Sequence, residues 1–297
     1  DDSADAQALL KCADIAMYRA KQNGKNSISF YQPHFQTEFN LRFLIQNELN
    51  RHLENTSFRL FYQPLFCAKK NTLLGFEALI RWPNTDPIYT PDEFIPIAEQ
   101  SKLINPIGQW VIKTAICQLS KWHQQFDPQL TMSINISPVQ LQDADLLAEL
   151  TQATTEYLVS PGKIVLEITE TALIKDNIKV TDTLCLLSQK GYKIALDDFG
   201  MGFSSVAHLM DYPIDIVKLD KSMQTTSKRS DKRIRVFEAL ALMLKKLEFI
   251  VVAEGVETEQ QLRLCQEFDL DRLQGYLLGI PMDDAKSESL LQGIYHI

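Results

Sequence analysis

Acidic and amide side chains, together with an arginine and a lysine, recur towards the ends of successive β-rich runs in this sequence. Glu77 and Arg81 lie in one run, and Asn135 lies near the end of the next. Asp197 and Asp198 lie side by side near the end of a later one. Burying a carboxylate in an apolar strand costs free energy unless the group is paired or coordinated. The other members of the set are Gln63, Glu167, Glu170, Lys218, Asp220, Glu254, Glu257 and Gln274.

Taken one at a time, these residues have ordinary structural explanations. Glu77 could be a surface or salt-bridged acid, and the Asp197-Asp198 pair could form a turn or a helix cap. Lys218 and Arg81 could each belong to a structural ion pair. Independent structural acids, however, have no reason to gather near the ends of successive strands. Their joint arrangement therefore predicts a functional site.

Oxygen donors of this kind suit hard divalent cations, and Mg²⁺ or Mn²⁺ bind carboxylate, amide carbonyl and water ligands. Asp197 could bridge two ions while Asp198 completes the second site. Paired ions suit in-line displacement at phosphorus. Lys218 could orient or deprotonate the attacking water, and Arg81 could clamp a phosphate oxygen. The residues therefore predict metal-dependent chemistry at phosphorus and leave the substrate open.

The elements that must position these side chains are eight β-rich runs that alternate with helical segments. Apolar strands separated by helices indicate a mainly parallel sheet that is covered on both faces. Eight repeats favour an α/β fold of the (β/α)8 barrel type, whose active site lies at the carboxyl ends of the strands. An open doubly wound sheet is the alternative. The runs are Phe58–Pro64, Leu73–Trp82, Thr131–Ser137, Ile164–Glu170, Lys193–Gly200, Ile214–Asp220, Phe249–Glu257 and Arg272–Gly279.

The residues before the first run predict a short helix-strand unit and a linker helix. Apolar positions recur at helical spacing over residues 9–23, and Gly24 follows as a stop. A short strand is expected over Ser27–Tyr31. A second amphipathic helix is expected from about Phe35 to Asn55, as a connector packed on its neighbours.

Charge and cysteine content narrow the class of protein. The 297 residues carry a formal net charge of −8, which argues against binding to DNA or RNA polymers. The five cysteines show no short pair spacing, so a reducing cytoplasmic location is expected. No apolar run is long enough to span a bilayer and no signal peptide is visible, so no membrane contact is expected from this segment. The chain opens at Asp1 without a methionine, which suggests a piece of a longer protein that is membrane-anchored or sensor-linked.

Nine short motifs resemble those of the EAL-domain cyclic di-GMP phosphodiesterases, and they occur in the right order over roughly residues 37–297. Chance does not produce so many ordered matches. The motifs are Tyr62-Gln63-Pro64, Glu77-Ala78-Leu79 within Phe76–Trp82, Phe94-Ile95-Pro96, Asn135-Ile136-Ser137, Glu167–Glu170, Asp197–Gly200, Lys218-Leu219-Asp220, Ala253–Thr258, and Gln274-Gly275-Tyr276 with Pro281.

The resemblance implies a modified TIM barrel whose first strand is antiparallel to the rest. It implies hydrolysis of cyclic di-GMP to linear pGpG with two Mg²⁺ or Mn²⁺ ions per site, with Ca²⁺ expected to inhibit. A homodimer is also implied. The first ion would be held by Glu77, Asn135, Glu167 and Asp197. The second would be held by Asp197 and Asp198, helped by Glu254 directly or through water.

The resemblance also implies roles for the remaining residues. Lys218 would serve the attacking water, with Glu254 assisting. Gln63 and Arg81 would bind the substrate, and Gln274 would lie on the water or guanine side of the site. A loop after the fifth strand would couple the site to the dimer interface through Glu170, Asp220 and Glu257.

The first 31 residues resemble a different domain. Ala13–Lys21 followed by Gly24-Lys25-Asn26 is similar to the closing helix and strand of a GGDEF domain, whose catalytic part is absent. The expected organisation is therefore a GGDEF remnant over residues 1–31, a linker helix over 32–55 and an EAL barrel over 56–297.

A few positions depart from the family pattern. Lys102 stands where glycine is usual, and Met201 and Phe203 stand where threonine and tyrosine are common. Two other functions remain open. One is a catalytically weak cyclic di-GMP receptor or signalling scaffold. The other is an enolase-like lyase in which a lysine abstracts a carbon-bound proton beside a metal-bound carboxylate.

Overall fold

The computed structural model describes residues 5–22, 27–55, 58–83, 88–173, 178–200, 209–224 and 232–293. Within them, eight strands close a barrel in sequence order. The first strand is antiparallel to both of its neighbours, and the remaining pairs are parallel. The predicted modified barrel is confirmed. The strands are β1 Arg59–Cys67, β2 Leu73–Arg81, β3 Thr131–Asn135, β4 Ile164–Thr169, β5 Lys193–Phe199, β6 Ile216–Leu219, β7 Ile250–Ala253 and β8 Arg272–Leu273.

Helices precede the barrel and alternate with its strands, as the sequence predicts. One of them, Glu259–Glu267, begins at a capping box, in which Thr258 Oγ1 accepts a hydrogen bond from the Gln261 N–H at 3.2 Å. The described helices are α1 Ala6–Gln22, α2 Pro33–Asn55, α3 Pro91–Gln100, α4 Ile104–Gln125, α5 Leu146–Glu156, α6 Glu170–Leu173, α7 Ile178–Gln189, α8 Lys232–Lys246, α9 Glu259–Glu267 and α10 Asp284–Leu291.

An apolar layer fills the barrel interior below its carboxyl end. Its members are buried and belong to five different strands: Leu65, Val165, Ala195, Ile216 and Val252. Side chains two residues apart on a strand point to the same face. The residues one step further towards the carboxyl end therefore also point inward. They are Glu167, Asp197 and Lys218 on β4 to β6, and Glu254 directly after β7. The alternation of side chains along the strands thus places a polar layer directly above the apolar layer.

The two helices before the barrel agree with the predicted segments, whereas the predicted strand over Ser27–Tyr31 is wrong. Residues 27–32 form no regular element. A strand requires a partner for its backbone hydrogen bonds, and a closed barrel offers no free edge. Ile28 and Phe30, which a sheet would partly cover, are 88% and 83% exposed. The β propensity of Ser27–Tyr31 therefore does not produce a strand in the described residues.

Among the described residues, no helix combines the length and the apolar character needed to cross a membrane.

The backbone conformation of Lys102 gives a physical meaning to its departure from the glycine that is usual at this position. Lys102 follows the end of α3 with a φ of 61°, in the left-handed region that glycine adopts without steric cost. A side chain there costs about 1–2 kcal/mol, partly offset by the greater freedom of glycine in the unfolded chain.

We therefore expect Lys102→Gly to raise the free energy of unfolding by about 0.5–1 kcal/mol, as measured by urea denaturation. Lys121→Gly is the matched control, since it replaces an exposed lysine inside α4 and should lower stability by about 1 kcal/mol. A loss of stability in Lys102→Gly would contradict the backbone explanation.

Candidate active site

Four carboxylates from four barrel segments surround the ammonium group of Lys218 at the carboxyl end of the barrel. Lys218 Nζ lies 2.6 Å from Glu167 Oε2 and 2.7 Å from Glu254 Oε1. It lies 3.2 Å from Asp197 Oδ1 and 3.5 Å from Glu77 Oε2. The lysine side chain is 2% exposed, so these contacts lie in a site largely closed to solvent. The prediction that these acids share one rim is confirmed.

Two amide side chains hold the carboxylate of Glu77. Asn135 Nδ2 donates to Glu77 Oε1 at 2.7 Å, and Gln274 Nε2 donates to Glu77 Oε2 at 2.7 Å. An ionised carboxylate only accepts hydrogen bonds, so both amides must turn their nitrogen towards it. The Asn135 oxygen Oδ1 is then the atom that can face a cation.

One ammonium group cannot balance four carboxylates in so small a volume. Burial, followed by repulsion from Glu77, raises the pKa of Glu167 well above its usual range. Burial likewise raises the pKa of Glu254 to about 8, against the opposing effect of Lys218. Burial alone would lower the pKa of Lys218, but the four carboxylates outweigh it and hold that pKa well above its usual value. Additional positive charge would relieve this repulsion.

Asp197, Asp198 and Glu254 form a second arrangement of donors beside this cluster. Each contributes a carboxylate oxygen, and these oxygens lie within 4.8 Å of one another. The Asp198 N–H donates to Asp197 Oδ1 at 3.0 Å, and Asp198 takes a φ of 56°. The donors are all oxygen, which is the chemistry that Mg²⁺ and Mn²⁺ select. The residues present therefore fit divalent cations.

A cavity of about 460 Å³ opens beside the carboxylates. Its polar wall includes Arg81, Asn135, Glu167, Asp197 and Asp198. Its opposite wall comes from helices α3 and α4 and was not predicted, because apolar helix residues look like ordinary core in a sequence. The main members of that wall are Pro91, Ile95, Ile104, Ile107, Gly108 and Val111.

The three predicted substrate-binding residues have different surroundings. Arg81 lines the cavity, donates to the Ile80 carbonyl at 2.9 Å and lies over the Phe61 ring. Gln274 is buried against Glu77. Gln63 pairs in register with Glu77 on β2, and its Nε2 donates to the Gly279 carbonyl at 3.2 Å. Their substrate contacts stay predictions.

The three predicted coupling residues lie around the same end of the barrel. Glu170 is buried at the start of α6. Asp220 Oδ1 accepts from the Ser222 N–H at 2.8 Å, and Glu257 Oε1 lies 4.0 Å from Lys221 Nζ. The loop to which they would couple, with Met201 and Phe203, lies outside the described residues, so this role stays a prediction.

The sequence of this chain is similar to a family model and to several curated proteins. The family model described as "EAL domain" matches residues 46–281. An uncharacterized signaling protein of Caulobacter vibrioides is 36% identical over 95% of this chain and 34% of its own length. The cyclic di-GMP phosphodiesterase NbdA of Pseudomonas aeruginosa is 31% identical over 98% of this chain and 37% of its own length. The chain thus spans about a third of the length of these curated relatives.

A solved structure is similar in fold as well as in sequence. The MucR phosphodiesterase in complex with c-di-GMP superimposes with a TM-score of 0.77 at 31% identity. The match covers 82% of this chain and 99% of that one.

The ammonium group of Lys218, which the four carboxylates share, leads to a prediction about stability. Lys218→Met leaves the buried carboxylates without it, and we expect the free energy of unfolding to fall by about 3–5 kcal/mol in the presence of a chelator. Added Mn²⁺ should recover most of the loss, because an ion that binds only the folded state stabilises it. Thermal unfolding with EDTA and with Mn²⁺ measures both effects.

Lys221→Met is the matched control, since Lys221 follows the same strand but its side chain is 67% exposed. It should leave the melting temperature unchanged in both buffers. Equal melting temperatures for the two variants in EDTA would contradict the electrostatic role of Lys218.

Proposed function

The chain belongs to the EAL domain family, and on this premise we propose that it is a metal-dependent phosphodiesterase that hydrolyses cyclic di-GMP to linear pGpG. The observation that carries the proposal is the convergence of Glu77, Glu167, Asp197 and Glu254 on Lys218 at the mouth of the barrel. Relatives described as acting on or binding cyclic di-GMP support the choice of substrate.

The donor set suggests two cation positions. Glu77, Asn135, Glu167 and Asp197 would hold the first ion. Asp197, Asp198 and Glu254 would hold the second. When bound, Mg²⁺ or Mn²⁺ would supply the Lewis acidity and positive charge needed to activate water at phosphorus.

Lys218 is proposed to orient the attacking water. Its ammonium donates hydrogen bonds only, so it can fix the water by donating to the oxygen that will bond to phosphorus. Glu254, 2.7 Å from Lys218 Nζ, can accept a proton from that water once a bound cation offsets the burial that raises its pKa. The scissile phosphorus–oxygen bond breaks as the new bond forms, and the leaving oxygen takes a proton from solvent water.

Arg81 is proposed to bind a phosphate oxygen of the substrate from the cavity wall. Its guanidinium is held by the Ile80 carbonyl and the Phe61 ring, so little freedom is lost when it binds. The apolar wall from α3 and α4 offers a surface for the flat faces of nucleobases. Gln274 positions Glu77, and Gln63 is proposed to reach the substrate from β1.

The wider setting is also a proposal. We infer a cytoplasmic location, a homodimer in which Glu170, Asp220 and Glu257 act on the loop after β5, and a GGDEF remnant over residues 1–31 joined by the α2 linker. The five cysteines, all of them free thiols, support the cytoplasmic location. The charge of −8 supports a dinucleotide rather than a nucleic-acid polymer as ligand.

The direct test incubates purified protein with cyclic di-GMP, with and without Mn²⁺, and separates the products by chromatography. We expect pGpG only with the ion. Glu77→Gln should reduce product formation by more than about 100-fold, since even residues behind metal ligands cost 10–100-fold. Tight binding of cyclic di-GMP by the wild type without product would instead indicate a receptor.

Glu93→Gln is the matched control for that substitution. Glu93 sits in the capping box of α3, where glutamine serves the same purpose, so activity should be retained. Near-normal pGpG formation by Glu77→Gln would contradict the metal assignment.

Calcium should fail to support hydrolysis and should inhibit the manganese-loaded enzyme. Ca²⁺ takes more ligands at longer distances and in looser geometry than Mg²⁺, so it would misplace the water. Initial rates at fixed Mn²⁺ with increasing Ca²⁺ measure the effect. Full activity in Ca²⁺ alone would count against this explanation.

A further inference from the structure

Asn135 differs from the other proposed ligands of the first ion in what holds it. Glu77 and Glu167 are 7% and 3% exposed, so packing fixes their side chains. Asn135 is exposed and ends β3; the Ile136 N–H still donates to the Glu167 carbonyl of β4 at 2.8 Å, and a turn follows. The Asn135 Nδ2 donates to Glu77, which sets the orientation of the amide, whereas the position of its backbone is set by β3 on one side and by the turn that follows on the other.

Ser137, two residues after Asn135, fixes that turn through three hydrogen bonds. Its Oγ donates to Glu99 Oε1 on α3 at 2.5 Å and accepts from the Val139 N–H at 3.1 Å. Its backbone N–H donates to Gln140 Oε1 at 3.1 Å. The turn after β3 is therefore tied both to a neighbouring helix and to itself.

Gln140 is in turn held by α4. It is 4% exposed, and its side chain lies over Gly108, where an added Cβ would come within 1.9 Å of Gln140 Nε2. Only a residue without a side chain allows the amide to lie there. Glu99, Gly108, Ser137 and Gln140 also line the cavity that contains Asn135.

We propose that Glu99, Ser137 and Gln140 form a positioning clamp for Asn135. The clamp transmits the packing of α3 and α4 to the amide oxygen that would face the first ion. The inference rests on the proposed function in treating Asn135 as a metal ligand. It predicts that the clamp residues, which do not touch the ion, control its affinity.

The test measures Mn²⁺ affinity by isothermal titration calorimetry and cyclic di-GMP hydrolysis at several Mn²⁺ concentrations. Ser137→Ala should weaken Mn²⁺ binding by about 10–100-fold, the usual effect of losing a group that orients a metal ligand. It should lower kcat more than it raises KM, and higher Mn²⁺ should recover kcat. Ser137→Thr, which keeps the hydroxyl, should restore affinity.

Glu99→Ala removes the Ser137–Glu99 hydrogen bond from the α3 side. It replaces Ser137→Ala in the test if that variant does not fold. Because the two residues share one bond, the double variant should bind Mn²⁺ no more weakly than the weaker single variant. Gly108→Ala should weaken Mn²⁺ binding from the α4 side by displacing Gln140. Ser101→Ala is the matched control, since its hydroxyl bonds to the Ile97 and Ala98 carbonyls at the end of the same α3 helix.

Wild-type Mn²⁺ affinity in Ser137→Ala and Glu99→Ala would overturn the clamp, even if both variants melt earlier. Strictly additive losses in the double variant would also overturn it. If the wild type binds Mn²⁺ in a Ser137-dependent way but forms no pGpG, the clamp stands and the proposed function fails. If the wild type forms pGpG and the clamp variants match it in affinity and kcat, only the clamp fails.

Discussion

Repulsion among Glu77, Glu167, Asp197 and Glu254 is the constraint around which the carboxyl end of the barrel is built. Like charges at these separations interact strongly where water is scarce. The carboxylates stay together because each is carried by, or directly follows, a strand hydrogen-bonded on both sides. Lys218 supplies part of the compensation, and the amides of Asn135 and Gln274 supply dipoles. Stability and the proposed ion binding therefore depend on one charge arrangement.

Much of this arrangement could be predicted from the sequence because strands impose a period of two. Once Ile216 is assigned to the inner face, Lys218 must share it, and the same step relates Val165 to Glu167. Strand alternation with helices then predicts the barrel and the shared rim. The antiparallel first strand was implied only by the resemblance, since nothing in the residues of β1 distinguishes its direction.

Other features could not be predicted because they depend on neighbours distant in sequence. The cavity wall from Ile95, Ile104 and Gly108 looks like ordinary helix core until α3 and α4 are placed beside β3. Ser27–Tyr31 has the composition of a strand but forms no regular element, which depends on the chain around it and not on its own residues. Lys102 stood out only as a departure from glycine, and the physical meaning of that departure became visible with its positive φ.

The apolar layer of Leu65, Val165, Ala195, Ile216 and Val252 closes the barrel beneath the carboxylates. Within the described residues this layer blocks the far end of the barrel, so under the proposed function substrate would enter and product would leave on the carboxylate side. Product would then have to leave before the next substrate binds, and retained product would compete with substrate for the same cavity.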